Sequence, residues 1–435
     1  MIEAKNFPLW NSPAMGAYLK TLSHEGMLAE GKGPRVRDVG GRWLLDARSG
    51  LWNVTLGYSH PRIRAAIKQQ VDVLPYANVS GYGRPGALAV EAAEALVAHL
   101  PGDLSKIRYC GSGSQAVETA ILLSRFLHRA GGDIDRTAVF GMWRGFHGLG
   151  AAAGAVTGLP YVHRQTGPLL PDVRHARGPF ESAGDGTMSD LERTIVDYGP
   201  EGVAAVVVEP IVGEGGHVLS AEYLRSLSDF CRRHGIHLIV DEITTGMGRT
   251  GTFTRTEQIG ARPDMLLLGK GLTSGYAGLS AVVLSESIFE QLVALPLQQQ
   301  FYIGSTHDGH PLALAASLAV LEALTSDGIF ENVAERGAEL RTGLEAIAAR
   351  HPEITAIRGD GLMYAVELGA PGSRPNQEML AESLRLAMDA RGVLVSTLAL
   401  WPAIMLMPPL IISRDDVAEI LTALDAAMGD IAALF

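Results

Sequence analysis

Cysteine is almost absent from this chain of 435 residues, which has only Cys110 and Cys231. Two cysteines are too few for a disulfide framework, and they lack the spacing of metal ligands, so we expect neither a structural disulfide nor a metal site. No apolar run approaches the ~20 residues of a membrane span, and residues 1–20 lack the basic and apolar regions of a signal peptide. These absences predict a cytoplasmic protein that is not bound to a membrane.

Basic residues are also in short supply. The chain has 36 Lys and Arg against 47 Asp and Glu, which gives a formal net charge of −11. Because such a chain repels nucleic acid and anionic membrane surfaces, neither is expected as a partner. Apolar residues make up 47% of the chain, and this share with the length predicts two or three domains, or one large domain with a smaller one, around a large core.

Lysine is scarcer still, and Lys270 is the only lysine after Lys106. It follows the apolar run Met265–Leu268 and precedes a glycine. An arginine stays protonated, whereas a lysine can lose its proton and act as a nucleophile. Burial at the end of a strand lowers the pKa of the amine and favours that form. The alternative, a general preference for arginine with Lys270 as an ordinary surface residue, is weakened by these neighbours.

The middle of the chain alternates short apolar runs with longer helical patterns, which indicates an α/β fold with a mainly parallel sheet covered by helices. The predicted strands are Ile107–Cys110, Thr137–Phe140, Val203–Val208, Ile236–Val240, Met265–Leu268 and Leu279–Leu284. The predicted helices are Gln115–Arg129, Ala221–Arg233 and Pro311–Leu324. The stretch 158–186, rich in Gly and Pro, is predicted to be a long loop.

From about Gly328 the pattern changes to that of a smaller α+β domain. A long helix to Arg350 is followed by predicted strands Ile354–Arg358, Leu362–Glu367, Val393–Val395 and Ile404–Met407. Helices are predicted near Gln377–Ala390 and Asp415–Met428.

Small residues link a predicted strand to a predicted helix in "CGSGSQAVETA", where Ser112, Gly113 and Ser114 lie. Backbone N–H groups at such a helix start can hold a phosphate, although a turn that simply caps the helix is the more common explanation. Phe146 and His147 follow the next strand in "FHG" and, taken alone, could belong to the core.

Asp241 ends a buried strand in "LIVDEITTGMGRTG". A carboxylate there needs a partner because an unpaired buried charge is costly. It could cap a loop, pair with Arg249, or face a cationic ring nitrogen such as that of a pyridinium. A phosphate-binding turn, an aromatic ring, this acid and one desolvated lysine together indicate pyridoxal phosphate (PLP) held as a Schiff base.

With these motifs in this order, the chain resembles the class III (omega, or subgroup II) aminotransferases, which are PLP enzymes of fold type I. The resemblance extends through "DVGGRWLLDARSGLWNVTLGYSHPRI", "VVVEPIVGEGG", "STHDGHPLALAASLAVLE" and "MPPLI". It implies a large PLP-binding α/β domain at residues 61–327 and a small C-terminal α+β domain at 328–435. An N-terminal segment, residues 1–60, would pack with the small domain.

The resemblance also implies a role for individual residues. Lys270 would form the Schiff base and shuttle the substrate proton, and Asp241 would keep the ring nitrogen protonated. Phe146 and Ile243 would contact opposite faces of the ring. The other cofactor residues implied are Ser112, Gly113, Ser114, His147, Glu209 and, from the partner subunit of a homodimer with shared sites, Thr306. Residues expected to line the substrate pocket are Trp52, Tyr58, Arg84, Trp401 and Met405.

One departure from the family pattern concerns the substrate. Many relatives that act on amino acids have an arginine before "PPL" that clamps the substrate carboxylate, but Val395–Leu410 contains none. Met405 and the neighbourhood of Leu398 occupy the two usual places, and Glu214 would lack its arginine partner. Either the main substrate has no carboxylate beside the reacting carbon, which we favour, or Arg84 or Arg144 supplies the charge. Gln115 is a second departure, since glutamate is usual there, and Thr244 replaces a glutamine of some relatives.

We therefore expect a transaminase that acts on a specialised amine or ketone, a metabolite or a modified peptide, with an amino acid as co-substrate. A decarboxylase, racemase or aminomutase would keep the same cofactor residues and remains an alternative, as does a non-catalytic protein of the same fold. A nicotinamide-dependent dehydrogenase requires G-x-G-x-x-G after a strand, and "GSGSQA" lacks the third glycine.

Overall fold

The computed structural model describes Leu9 and residues 25–79, 84–181, 188–369 and 377–431. These residues form a seven-stranded central sheet, two four-stranded sheets and a two-stranded hairpin. Among the described helices, none is by itself long and apolar enough to cross a membrane. Only the pair Pro311–Ser326 and Ile329–Ala348, bent by 70° at their junction, has that length and composition together.

An antiparallel meander opens the described chain, with strands β1 (Leu28–Lys32), β2 (Arg35–Asp38) and β3 (Trp43–Asp46). A short bent helix, α1 (Ser49–Trp52), follows, and its backbone leaves helical geometry at Gly50 and Leu51. The buried Asp46 carboxylate accepts hydrogen bonds from the Gly50 N–H at 2.6 Å and the Tyr58 hydroxyl at 2.7 Å. These bonds fix the turn that carries Trp52. Helices α2 (Pro61–Val73) and α3 (Ala87–Val97) then lead to the central sheet.

The central sheet has one antiparallel strand among parallel ones. In chain order the strands of this region are β4 (Leu104–Cys110), β5 (Ala138–Met142), β6 (Val173–Ala176), β7 (Val203–Val208), the hairpin β8 (Ile211–Val212) and β9 (His217–Val218), β10 (His237–Asp241), β11 (Met265–Leu268) and β12 (Ser280–Ser285). The spatial order is β4-β12-β11-β10-β7-β5-β6, and β12 alone pairs antiparallel with its neighbours. Strands β7 and β11 are buried along their whole length, as expected for a sheet covered on both faces.

The described helices of this region are α4 (Gly113–Ala130), α5 (Ala151–Val156), α6 (Pro160–Thr166), α7 (Asp190–Tyr198), α8 (Ala221–His234), α9 (Arg255–Ile259), α10 (Glu286–Val293) and α11 (Pro311–Ser326). Helix α4 begins where the Ser112 hydroxyl accepts the Gln115 N–H, a side-chain cap that satisfies one of the free donors of the first turn. Two 3₁₀ turns, Pro200–Gly202 and Lys270–Thr273, complete the set.

The predicted long loop at 158–186 is wrong, because the described part of this stretch contains helix α6 and strand β6. Strand β6 is the edge of the central sheet and pairs in parallel with β5. Its sequence, VRHA, buries only Ala176. Because Arg174 and His175 separate its two apolar residues, a search for apolar runs did not find this strand.

The C-terminal region consists of α12 (Ile329–Ala348), β13 (Ile354–Asp360), β14 (Met363–Leu368), α13 (Gln377–Ala390), β15 (Val393–Leu394), β16 (Ser396–Thr397), β17 (Ala403–Leu406) and α14 (Arg414–Ile431). An antiparallel sheet in the order β13-β14-β17-β16 forms its core. Strand β15 instead pairs in parallel with β3 of the N-terminal meander. The fully buried Arg249 joins this region to the loop after β10, because its Nη1 donates to the carbonyls of Leu362 and Pro408.

Candidate active site

The carboxyl ends of neighbouring parallel strands bring several predicted site residues to one edge of the central sheet. Asp241 is the last residue of β10, Glu209 follows β7, and Lys270 follows β11 by two residues. The crevice beyond the carboxyl ends of parallel strands is where open α/β sheets bind ligands. The sheet therefore places a lysine and two acids at this edge, which we call the cleft.

Lys270 has a backbone φ of 41°, which is unusual for a residue with a side chain. Its Nζ donates to the Thr244 hydroxyl at 2.6 Å and lies 4.9 Å from the centre of the Trp52 ring. The side chain is partly exposed, but surrounding protein atoms desolvate the amine and lower its pKa to about 8. A substantial fraction of neutral amine is therefore present slightly above neutral pH.

Asp241 is buried and uses both carboxylate oxygens. One oxygen lies 2.8 Å from His147 Nδ1, and the other accepts the Ile243 N–H at 3.1 Å. Burial alone would lower the pKa of His147, but the hydrogen bond and charge of Asp241, with the charge of Glu209, raise it overall. Of the alternatives, Asp241 does cap the turn after β10, whereas Arg249 binds backbone carbonyls and not this acid.

Glu209 holds the backbone of Phe146, the aromatic residue of "FHG". Its carboxylate accepts the Phe146 N–H at 2.9 Å and the Gly213 N–H at 3.1 Å, and burial raises its pKa to about 7. The Phe146 side chain is 36% exposed. Glu209 therefore fixes the backbone at Phe146 while part of the ring remains open to the cleft.

Ile243 stands close to two glycines that border the cleft. A Cβ atom on Gly113 would lie 3.1 Å from the Ile243 side chain, and one on Gly269 would lie 3.2 Å from it. Next to Gly113, the Ser114 hydroxyl accepts the Leu149 N–H at 3.3 Å. Glycine at 113 and 269 thus leaves room beside Ile243 at the start of helix α4.

Two tryptophans connect this polar edge to an apolar cluster. Trp52 and Trp401 pack against a set of buried side chains, which we call the apolar cluster: Ile211, Met363, Ala365, Leu398, Ala403, Met405 and Met407. Met405 is fully buried within β17, so it lies behind the cleft surface. Because Trp52 also faces Lys270 Nζ, the apolar cluster begins beside the lysine.

Two arginines flank Trp401. The Arg144 guanidinium carbon lies 4.0 Å from the ring centre and that of Arg358 lies 5.1 Å from it. Arg144 Nε donates to Glu181 at 2.6 Å, and among the described residues its two terminal nitrogens have no hydrogen-bond partner. Arg358, by contrast, is paired with Glu367 and with the Gly215 carbonyl.

Glu214 accepts backbone hydrogen bonds and forms no hydrogen bond with an arginine among the described residues. Its carboxylate accepts the Leu400 N–H at 2.7 Å, and burial raises its pKa, although the charge of Arg144 acts to lower that pKa. The predicted lack of an arginine partner is therefore compensated by the loop between β16 and β17.

Three predicted residues lie apart from this cluster. Tyr58 packs beside the N-terminal meander and donates to Asp46. Arg84 is exposed, at the edge of a described range. Thr306 is also exposed, and its carbonyl accepts the Tyr76 hydroxyl at 2.9 Å. Within the described chain, no contact joins any of the three to Lys270.

Known proteins resemble the chain along nearly its whole length. A model of the class III aminotransferases matches residues 20–428. The chain belongs to the class III aminotransferase family. An omega-aminotransferase of Caulobacter vibrioides is 33% identical over 427 residues, which cover 94% of each chain. A taurine–pyruvate aminotransferase of Rhodobacter capsulatus is 34% identical over all of this chain and 97% of its own.

A solved structure agrees with the fold. The PMP-bound aminotransferase of Vibrio fluvialis superposes with a TM-score of 0.92 at 28% identity, covering 99% of this chain and 97% of that one. The predicted fold type I architecture, aminotransferase activity and PLP cofactor are thereby confirmed for this class III aminotransferase.

The cleft has the chemistry that PLP requires. Lys270 offers an amine with a lowered pKa, Asp241 offers a buried carboxylate, and the Phe146 ring is partly open. Gly113 and Gly269 border the space beside Ile243 at a helix start. Among the described side chains, no group of three or more His, Cys, Asp or Glu could hold a metal ion.

Sequence reasoning missed two contacts near this cleft. Arg358 reaches Trp401 although it lies on β13, and Asp308 reaches Gln115 across 193 residues at 2.7 Å. The "STHDGHP" motif contains Asp308, so an acid after Ser-Thr was visible. Its contact with Gln115 was not visible in the sequence, because only the fold brings the two segments together.

Proposed function

We propose that this aminotransferase moves an amino group between an amino-acid donor and a bulky apolar amine or ketone, either a metabolite or a modified peptide. On that second substrate the reacting carbon would have no carboxylate. The observation that supports this most directly is the apolar cluster, which begins at Trp52 beside Lys270 and includes Met405 where relatives place an arginine. Contact with the partly exposed Trp52 and Trp401, which pack against this cluster, favours a bulky apolar group, whereas a carboxylate would lose its charge-assisted hydrogen bonds.

When bound, PLP supplies the carbon that carries the amino group and a pyridinium ring that stores the electrons of the broken bond. We assign its covalent attachment to Lys270, its ring nitrogen to Asp241 and its two ring faces to Phe146 and Ile243. Ser112, Gly113 and Ser114 would hold the phosphate at the start of α4.

We assign proton transfer at the substrate carbon to the Lys270 amine. A pKa of about 8 allows this amine both to accept and to release a proton near neutral pH. Thr244 holds the amine by a 2.6 Å hydrogen bond, and Trp52 covers it. His147 and Glu209 would act through other residues. His147 would fix Asp241, and Glu209 would fix Phe146.

For the carboxylate of the amino-acid donor we propose Arg144 and not Arg84. Arg144 stacks on Trp401, at the margin of the apolar cluster, and Glu181 holds its Nε. The two terminal nitrogens form the fork that binds a carboxylate in bidentate fashion. The exposed Arg84 is not held in a comparable way by any residue in the described part of the chain. Arg144 beside the apolar cluster would suit a pair of substrates in which the amino-acid donor carries a carboxylate and the second substrate does not.

We also propose that the active unit is a homodimer in which Thr306 completes the phosphate site of the partner. The exposed position of Thr306 agrees with a role outside its own subunit. Mixed and refolded Lys270→Ala and Thr306→Val subunits should regain part of the activity, because one of the two sites then receives both intact residues. A mixture with no recovered activity, or a monomer that turns over substrate, contradicts the shared site.

A half-reaction screen tests the substrate class. The enzyme loaded with PLP is mixed with apolar amines, with their analogues that carry a carboxylate on the reacting carbon, and with common amino acids. Conversion of the cofactor to its pyridoxamine form is followed by absorbance. We expect rapid conversion by apolar amines and by one or a few amino acids. Efficient conversion only by substrates with α-carboxylates refutes the proposed substrate. Loss of CO₂ or racemisation without conversion would instead indicate a decarboxylase or racemase.

A further inference from the structure

Asp308 is a buried acid in the loop before helix α11, and nothing in the reaction chemistry above uses it. Its side chain is fully buried. The carboxylate accepts the Ser305 N–H at 2.9 Å and the Ser305 hydroxyl at 2.7 Å. It also accepts the Gln115 side-chain N–H at 2.7 Å, and Arg108 lies 3.7 Å away. Asp308 therefore fixes the conformation of the residue directly before Thr306.

Gln115 lies at the other end of this contact, in the first turn of α4, and both ends of its side-chain amide are engaged. Its Nε2 donates to Asp308, and its Oε1 accepts the Gly111 N–H at 2.9 Å. The Gln115 backbone N–H is also the donor that Ser112 caps. The side chain therefore spans the turn that the proposed function assigns to the phosphate.

We propose that Gln115 and Asp308 are a pair of positioning residues that sets the phosphate-binding turn against the Ser305–Thr306 segment. This inference rests on the proposed function, in which Ser112, Gly113 and Ser114 hold the phosphate of their own subunit and Thr306 reaches that of the partner. A change at either member of the pair would then disturb cofactor binding without touching the cofactor.

The hydrogen-bond pattern explains why position 115 departs from the usual glutamate. An amide can donate to Asp308 and accept from Gly111 at the same time, as it does here. A carboxylate at 115 could still accept from Gly111, but its second oxygen would face the Asp308 carboxylate at hydrogen-bond distance. Two like charges that close repel each other. The family's usual residue is therefore the wrong residue for this chain.

The test measures how fast the purified PLP enzyme releases its cofactor into a solution that traps free PLP. We expect Gln115→Glu to release PLP roughly 10- to 150-fold faster than wild type, the range expected when a hydrogen bond to a charged group is lost. Adding Asp308→Asn to that variant should restore slow release, because the asparagine amide can donate to the new carboxylate. Gln291→Glu, which adds the same charge on an exposed face of α10, serves as the control and should behave as wild type.

Gln115→Ala provides a second arm, since it removes the amide without adding charge. We expect its release rate to lie between those of wild type and Gln115→Glu. Release at the wild-type rate from Gln115→Ala overturns the proposal even if Gln115→Glu does not fold. Failure of Asp308→Asn to slow the release from Gln115→Glu also overturns it. No substrate enters the measurement, so a wrong substrate class would leave these rates unchanged and would appear only in the half-reaction screen.

Discussion

The two halves of the cleft are built in different ways. The half assigned to the cofactor is polar, and its residues follow strand ends and one helix start of the central sheet: Glu209, Asp241, Lys270 and Gly113. The half assigned to the substrate is mostly apolar and takes Trp52 from the bent helix α1 and Trp401 from the loop before β17, with the buried Met405 of β17 behind them. The first half depends on a rigid sheet edge, and the second depends on how separate segments pack.

This contrast indicates that changes in the cofactor half abolish turnover for every substrate, whereas changes in the substrate half alter which substrates are used.

The largest effect is expected for substitution of Lys270. Lys270→Ala should lose all measurable transamination and carry no covalently attached cofactor, because no other lysine of the described residues lies at that strand end. Mass spectrometry after borohydride reduction checks the attachment. Lys106→Ala, which removes a partly exposed lysine paired with Glu286, is the control. Cofactor found on Lys68 or Lys106 would disprove the assignment.

The second largest loss of turnover is expected for Asp241→Asn. The variant keeps the shape of the side chain but removes the charge that stabilises a protonated ring nitrogen, so we expect it to bind PLP and lose about 100-fold or more in kcat. The loss should be similar for apolar amines and for amino acids, which distinguishes it from a specificity change. Steady-state rates with one substrate of each class provide the measurement, with Asp229→Asn on the exposed face of α8 as control. Near-normal turnover would remove Asp241 from this role.

Arg144→Met should separate the two halves of the cleft. Methionine keeps an aliphatic contact with Trp401 but cannot bind a carboxylate, so the half-reaction with the amino-acid donor should weaken by roughly 10- to 150-fold. Half-reactions with simple amines should keep their wild-type rates. Arg174→Met removes another arginine stacked on an aromatic ring, Tyr198, and serves as the control. Equal loss for both substrate classes would show that Arg144 has a structural role and does not discriminate between them.

A smaller and graded effect is expected from pH. Only the unprotonated amine of Lys270 can attack the cofactor, and burial lowers its pKa to about 8 from the ordinary lysine value of about 10.4. The rate at which the apoenzyme captures PLP should therefore rise about tenfold per pH unit below pH 8 and level off above it. Stopped-flow absorbance measures this rate. A rise that continues to pH 10 would mean that the amine is not desolvated in the cleft.

The sequence predicted the central sheet best where burial is complete. Strands Val203–Val208 and Met265–Leu268 match the structure residue for residue, because every position is apolar and both faces are covered. The edge strand β6 and the two-residue strands β8 and β9 escaped prediction, since each is too short or too polar to give a periodic signal. The division into residues 1–60, 61–327 and 328–435 stays a prediction.

In the candidate site, residues beside a strand of their own could be found from the sequence, and residues that depend on distant partners could not. The positions of Lys270 and Asp241 at the sheet edge could be predicted because each lies in its own motif, next to a recognisable strand, while their catalytic roles stay predictions. Arg358 and Asp308 could not, because their relevance comes from partners distant in the chain. Met405 was expected at the surface of the pocket, but it is fully buried on β17. The sequence indicates which residues have reactive side chains, whereas tertiary packing determines which of these side chains are in contact.

The 4.9 Å contact between Lys270 Nζ and the Trp52 ring gives the protein an internal optical reporter. Indole emission responds to a nearby charge such as that of Lys270, and it would also respond to an absorbing cofactor attached there. Trp401, whose ring centre lies 4.0 Å from the guanidinium carbon of Arg144 and 5.1 Å from that of Arg358, packs against the same cluster. The total fluorescence of the five tryptophans, to which Trp52 contributes, should therefore change with each exchange of the amino group, on unlabelled enzyme and with colourless substrates.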